Sequence, residues 1–430
     1  MSQTKRLFVL AGAVVSATSF AMASEPATTD EVRAIVAEMI NDAESRSSLL
    51  QGGGNAGYDK HFFLASSDNN FRLNIGGIVQ FRYNLNFRDK ADNTAGDDFE
   101  SGFQNRRTKV DFWGNVVNPD WTYRVRLEAS RSTGAVSIDY AYIGYAFGNG
   151  WKATMGQFKL PFLREELMSD SKQLAADRSI TNNAFTQTYS QGVNLGYSAE
   201  DWKFDTAFSD GLRTLNTDYT SAAESDWGLT GRFEYKFAGT WKQFEDFTAE
   251  QDEKFGALWG AAVHFQQSRN TGNPADVDND YLTYTTDLSF EGSGWNIYAA
   301  FVGSHNEARL AGPDPSDTDD FGAIVQAGWR FLPNSELFAR WDAIFTDDNR
   351  VLGGGGSTFH FITFGWNQYI AGHAAKFTLD CVVSANKTGS LTGLSLVPGA
   401  GSILPDTGSS VLSSTRDTEV ALRAQFQLLF

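Results

Sequence analysis

The feature that most limits how this chain can fold is a two-residue hydrophobic alternation, clearest at its C-terminus. From Glu419 the sequence reads E-V-A-L-R-A-Q-F-Q-L-L-F. Val420, Leu422, Ala424, Phe426, Leu428 and Phe430 fall on one face of a strand. Ala421, Arg423, Gln425 and Gln427 fall on the other, with Leu429. A strand repeats every two residues, so one face is apolar and the other mostly polar. Left as an edge in water, such a strand would aggregate. The expectation is that it closes a barrel whose outer solvent is hydrocarbon, where every backbone polar group must be paired internally.

The same alternation recurs upstream. Phe71, Leu73, Ile75, Gly77, Val79, Phe81, Tyr83, Leu85 and Phe87 alternate with Arg72, Asn74, Gly76, Ile78, Gln80, Arg82, Asn84 and Asn86. A typical soluble strand has about five or six residues, so this length suits a tilted membrane strand. Similar segments span 103–117, 121–131, 135–147, 151–159, 191–198, 202–209, 227–237, 255–266, 281–291, 295–304, 321–331, 336–345, 358–369, 375–384 and 418–430. The fold predicted is all-β: a transmembrane antiparallel β-barrel of about 16 strands. Connections alternate between tight and long. Asn118-Pro119-Asp120, Gly148-Asn149-Gly150 and Gly292-Ser293-Gly294 are tight, whereas 88–102, 160–190, 210–226 and 385–417 are long. Short turns on the periplasmic rim and long loops outside are the usual barrel asymmetry. Two links break the rule: Ala238 to Lys254 is long on the short-turn side, and Ser132 to Gly134 is short on the other.

The N-terminus fits export. Lys5 and Arg6 precede an apolar run, and Ala21-Met22-Ala23 is a small-x-small cleavage site, so residues 1–23 are expected to be a signal peptide. Cleavage there shifts the formal charge from -17 to -19. Residues 24–54 are expected to form a short N-terminal periplasmic helix and a Gly-rich linker, leaving 55–430 as the barrel. Thr28 and Glu31 have capping-box spacing, and Val32, Ile35, Val36, Met39, Ile40 and Ala43 make an apolar stripe. A docking helix and a loose spacer both fit that pattern. No later segment has the roughly 18 consecutive apolar residues of a membrane-spanning helix. The acidic balance argues against a nucleic-acid partner. Cys381 is the lone cysteine, so no internal disulfide can form.

Several motifs in order resemble the phosphate-selective porin O and P family of outer-membrane channels. They are G-Q-F-K-L-P-F at Gly156 to Phe162, N-P-D-W at Asn118 to Trp121, and R-S-I-T-N-N-A-F at Arg178 to Phe185. Q-G-V-N-L-G-Y at Gln191 to Tyr197, V-Q-A-G-W-R-F-L-P at Val325 to Pro333, E-L-F-A-R-W-D at Glu336 to Asp342 and F-G-W-N-Q-Y-I-A-G-H-A-A-K at Phe364 to Lys376 continue the series. The likeness runs from about Phe71 to Phe430. It implies a sixteen-stranded homotrimeric porin of the bacterial outer membrane, surrounded by lipid, whose third loop folds into the lumen.

A porin works through lumenal charge and pore width rather than bond making. Alternation places Arg72 and Arg82 on the lumen face of the first strand. It places Arg107, Lys109 and Asp111 there on the second, and Arg124, Arg126 and Glu128 on the third. Arginine forks suit oxyanions because they donate two parallel hydrogen bonds. The bland alternative is that these charges pair with neighbouring carboxylates and keep the lumen wet. In and beside loop 160–190, Lys159, Arg164, Lys172 and Arg178 are the constriction candidates, but Glu165, Glu166, Asp170 and Asp177 balance them. The histidines, His373 among them, lack metal-ligand spacing, and His373 is expected in a turn or at the surface. An acidic loop with Asp314, Asp317, Asp319 and Asp320 fits a solvated loop better than a calcium loop.

The expected function is passive diffusion of small hydrophilic solutes, with an anion or phosphate preference. A non-selective or cation-tolerant porin is the alternative. No catalytic set is readable, no cofactor is called for, and residues 24–70 are too short for the plug of an energised receptor.

Overall fold

The computed structural model of the chain describes residues 54–90, 97–221, 224–268, 279–308, 317–350, 358–398 and 401–430. The expected signal peptide and the helix expected at Thr28 to Leu50 lie outside the described residues.

Strands form where the alternation is. The first eight are β3 (Arg72–Arg88), β4 (Phe99–Val116), β5 (Asn118–Ala129), β6 (Val136–Gly148), β7 (Trp151–Lys159), β8 (Tyr189–Ser198), β9 (Trp202–Ser209) and β10 (Ser225–Ala238). The second eight are β11 (Gly256–Ser268), β12 (Asn279–Gly292), β13 (Trp295–Ala308), β14 (Thr318–Leu332), β15 (Ser335–Phe345), β16 (Thr358–Ala371), β17 (Ala375–Ser384) and β18 (Glu419–Leu429). Each pairs antiparallel with its sequence neighbour, and β18 pairs with β3 from Glu419↔Arg88 to Leu429↔Ile78. The seam ends on two backbone bonds: Gly77 N–H donates to Phe430 O at 2.9 Å, and Phe430 N–H donates to Gly77 O at 3.2 Å. Among the described residues these sixteen strands make a closed barrel without a free edge, which satisfies the backbone inside a bilayer.

A short hairpin precedes the barrel: β1 (Gly54–Asp59) and β2 (His61–Ser66), turning at Lys60 with φ 61°. Strand β2 pairs with β3 from Phe62↔Ile75 to Ala65↔Arg72, on the stretch of edge beyond the end of β18. Sequence reading began the first strand at Phe71 and assigned no strand here. Too few residues pair for alternation to show.

The alternation sorts the two faces inside out. On β14, Thr318, Asp320, Gln326 and Arg330 are buried, while Val325 and Trp329 on the outer face are exposed. Outward apolar exposure of this extent suits hydrocarbon rather than water. Aromatic rings form a near-continuous row at the short-turn rim: Trp121–Tyr145 at 4.5 Å, Trp151–Tyr197 and Tyr197–Trp202 at 4.9 Å, and Trp202–Phe233 at 6.0 Å. Phe81, Tyr83, Phe87, Phe99 and Phe103 cluster towards the opposite rim. Aromatic residues at the two rims suit the interfaces of a bilayer. The tight turn Gly148-Asn149-Gly150 has φ 81°, 51° and 88°, left-handed values that glycine and asparagine tolerate best.

Val325 lies mid-strand on the outer face, so Val325→Arg should destabilise the barrel by about 2–4 kcal/mol. Val325→Ala should cost far less. Urea unfolding in lipid vesicles measures both, and equal stability of the two variants would contradict the outward assignment.

Candidate functional site

The segment between β7 and β8 turns back into the barrel. It contains two short helices, α1 (Arg164–Leu167) and α2 (Ile180–Phe185), and is almost wholly buried. Ser179 caps α2: its hydroxyl accepts from Asn182 N–H at 2.9 Å and donates to Glu165 at 2.6 Å, so one serine joins both helices. Arg178 staples the loop internally by donating to the carbonyls of Glu165 at 3.1 Å and Met168 at 2.8 Å.

Polar side chains on the inner wall hold this loop carbonyl by carbonyl. Asn367 donates to Leu174 O at 2.9 Å, Lys376 to Gln173 O at 2.8 Å, Gln427 to Ser171 O at 3.1 Å and Arg340 to Asp177 O at 3.0 Å. Asp380 accepts from Ala176 N–H at 2.9 Å and pairs with Arg423 at 2.7 Å. The loop therefore lies along β15 to β18 and β3, and the passage is displaced towards β4 to β9.

Two further segments fix it. Ile180 and Phe185 pack with Phe359, Phe361, Leu391, Ile403 and Leu404 in one apolar cluster, so loop 385–417 folds inward over α2. From the short-turn side, residues 239–255 form a strap that also enters the lumen. Phe247 packs on Tyr298 at 4.8 Å and joins Met168 and Leu174 of the loop, while Thr248 donates to Glu336 at 2.9 Å. The long link after Ala238, an exception in the sequence, is thus a lumenal element. His373 lies in a turn as expected, but its ring is covered rather than at the surface, 3.4 Å from Asp246 of the strap. In the acidic loop, Asp320 pairs with Arg350 and Asp319 with His305 at 2.9 Å; Asp314 lies outside the described residues.

Beside the loop, two cavities are lined by the predicted wall cations of β4. One, of about 480 Å³ on the short-turn side, is lined by Lys109, Arg124, Arg126 and Lys172 among the predicted residues. The other, of about 680 Å³ on the long-loop side, is lined by Arg107, Lys109, Lys159 and Arg178. Lys109 and Asp170 line both and stand 2.9 Å apart, so the cavities abut at this ion pair. Arg72, Arg82 and Arg164 line neither. Arg82 is 0% exposed, held by Asp177 at 3.2 Å and Gln425 at 2.6 Å beneath the loop. Arg164 donates to Phe244 O at 2.7 Å in the strap, and Arg72 stacks over Phe63 at 4.2 Å. Lys172 reaches Glu245 of the strap at 3.5 Å.

Two β-bulges add residues that strict alternation cannot find. Gln80 pairs with Arg107 but Phe81 pairs with Asn105, so Arg106 is the extra residue. Its guanidinium turns inward onto Asp177 at 2.6 Å. Between Arg126↔Tyr140 and Leu127↔Ile138, Asp139 is extra and turns inward onto Lys109 at 2.8 Å. Consecutive arginines at 106 and 107 were the only hint of the first bulge.

A continuous chain of charges crosses from wall to loop. Asp139 meets Lys109, Lys109 meets Asp170, Asp170 meets Arg178 at 2.5 Å, and Lys159 meets Glu166 at 2.5 Å. Burial opposes the charge on all four loop carboxylates; at Glu165 it prevails and pushes the carboxyl up, whereas at Glu166, Asp170 and Asp177 the cations outweigh it. Arg178 and Lys159 hold Glu166 at about 2. Arg107 and Arg178 hold Asp170, and Arg106 and Arg107 hold Asp177, well below the usual carboxylate range. A depressed carboxylate contributes fully above its ordinary value, 4.5 for glutamate, and loses that contribution as pH falls through the folded value. The contribution of Glu166, read as the difference in single-channel conductance between wild type and Glu166→Gln, should therefore stay flat between about pH 7 and about pH 5 and change only as pH drops from about 4.5 towards about 2. A transition near about pH 6 would contradict this ion-pair anchoring.

Comparisons with known proteins agree with this architecture. The sequence pattern of the family described as phosphate-selective porin O and P matches residues 74–354. No curated protein matches the sequence. Among solved structures, the anion-selective porin from Comamonas acidovorans is 11% identical, with TM-score 0.55 over 83% of this chain and 99% of that one. The outer membrane channel DcaP of Acinetobacter baumannii is 16% identical, with TM-score 0.54 over 83% and 97%. The trimer form of OmpT from Vibrio cholerae is 10% identical, with TM-score 0.52 over 83% and 99%. These likenesses establish the fold, and the family match covers most of the barrel. The chain belongs to the phosphate-selective porin O and P family and is a passive diffusion channel of the bacterial outer membrane.

Proposed function

We propose that the channel prefers small hydrophilic anions, inorganic phosphate among them. One observation carries this reading: Arg124 and Arg126 share a single carboxylate. Asp111 accepts from Nε and Nη2 of Arg124, the latter at 2.6 Å, and from Nε and Nη2 of Arg126, the latter at 2.6 Å. Nη1 of each donates to no group among the described residues, and the side chains are 27% and 17% exposed to the lumen. Two cations against one anion leave a positive, hydrogen-bond-donating edge on the wall. Such an edge replaces part of an anion's hydration shell as it passes.

The lining of the long-loop cavity supports the same sign. Arg106, Arg107, Lys109, Arg131, Lys159, Arg178 and Arg213 face Glu128, Glu166, Asp170 and Asp406 there. Arg213 donates no side-chain hydrogen bond among the described residues. The loop alone is balanced, but wall and loop together are basic, and a low-dielectric wall focuses that field into the pore. In this reading Arg107, Lys109, Arg124, Arg126, Lys159 and Arg178 form the anion path, while Arg82 and Arg164 anchor the loop and the strap. We also infer a homotrimer embedded in outer-membrane lipid. The resemblance to the family implies it, and the Vibrio cholerae OmpT neighbour has a trimer form.

Reversal potentials in planar bilayers across a KCl gradient test the selectivity. The wild type should favour chloride, and Arg124→Gln with Arg126→Gln should shift the potential towards potassium. Asp111→Asn should shift it the other way, by unmasking both guanidinium groups. A wild-type channel that favours potassium would refute the proposal. The oligomer is tested separately: unheated protein in mild detergent should migrate as a trimer and boiled protein as a monomer. A monomer in both lanes would remove the trimer.

A further inference from the structure

One corner of the lumen sets apolar side chains, for which an ion path has no use, beside charged ones. Tyr140, Tyr142, Phe158, Pro161 and Leu167 border a cavity of about 280 Å³ beside Arg124. Leu167 is 36% exposed, although the rest of α1 is buried. Tyr140 and Tyr142 meet edge to face at 5.9 Å, and the Arg124 guanidinium sits over the Tyr140 ring at 4.4 Å. An exposed leucine beside aromatic walls is unfavourable in water and gives nothing to a hydrated inorganic ion. It does favour a solute with an apolar ring.

The opposite wall sets a limit on that solute's charge. Glu234 is neutralised by Arg232 at 2.9 Å, but Asp205 accepts only from Asn194, at 2.9 Å, and has no ion-pair partner among the described residues. A second negative group on the far side of the ring would meet that carboxylate.

We propose that this corner is a binding station for aromatic monocarboxylates. The carboxylate takes the free Nη1 edge of Arg124, and the ring lies against Tyr142 and Leu167. Asp205 discriminates against dicarboxylates. Arg124 already serves the anion path, so the proposal rests on that reading and adds a solute class to it.

The test uses the full-length channel in planar bilayers, with chloride current as the readout and benzoate, acetate and terephthalate as added solutes. Benzoate should reduce the current at a concentration about fivefold below that needed for acetate. Terephthalate, whose second carboxylate lies across the ring from the first, should be weaker than benzoate. Leu167→Ser should bring the benzoate-to-acetate ratio close to one, and because both solutes are read in the same channel a change in conductance cancels. Asp205→Asn should raise the potency of terephthalate relative to benzoate. Equal block by benzoate and acetate in a chloride-selective wild type would overturn the station while leaving the anion path intact. A potassium-selective wild type would overturn both.

Discussion

Everything in this molecule depends on pairing the backbone inside hydrocarbon. A bilayer offers no water to an unpaired amide, so the sheet has to close on itself. The closure between β18 and β3 meets that demand, and the terminal Phe430 completes it with bonds to Gly77. Once the sheet is closed, its two faces are no longer equivalent. Every outward residue meets lipid and every inward residue meets the lumen, so the polar half of each strand becomes the interior of the protein.

That interior is not simply water. The wall's polar side chains are spaced by strand register, and a loop with free carbonyls can be fastened to them at successive points. Asn367, Lys376, Gln427 and Arg340 each take one carbonyl of the loop. The strap from one rim and loop 385–417 from the other then pack apolar residues against it. Backbone hydrogen bonds left open by an irregular segment are thus supplied by the barrel, which lets that segment sit at membrane depth.

Charge follows the same division of labour. Cations beneath the loop, such as Arg82 and Arg423, are fully compensated and buried, and they hold structure. On the opposite wall Arg124 and Arg126 are only partly compensated, sharing Asp111 between them. The difference between Arg82 and Arg124 is not one of residue type or strand face. It is whether the loop lies over the side chain, and a buried unpaired guanidinium would be too costly to leave.

Much of this was legible beforehand. Strict alternation located the sixteen barrel strands and the turn residues between them. It also assigned Arg107, Lys109, Arg124 and Arg126 to the inner face, because side-chain direction along a strand is a local property. Alternation could not place Arg106 or Asp139, since a bulge adds one residue and breaks the period. Nor could it show that residues 239–255 enter the lumen, or that Arg82 is covered while Arg124 is open. Those outcomes depend on which distant segment reaches a given patch of wall. The sequence by itself determined which way each side chain points; only the closed barrel, by bringing loop and wall together across the lumen, decided which charges became anchors and which were left facing the passage.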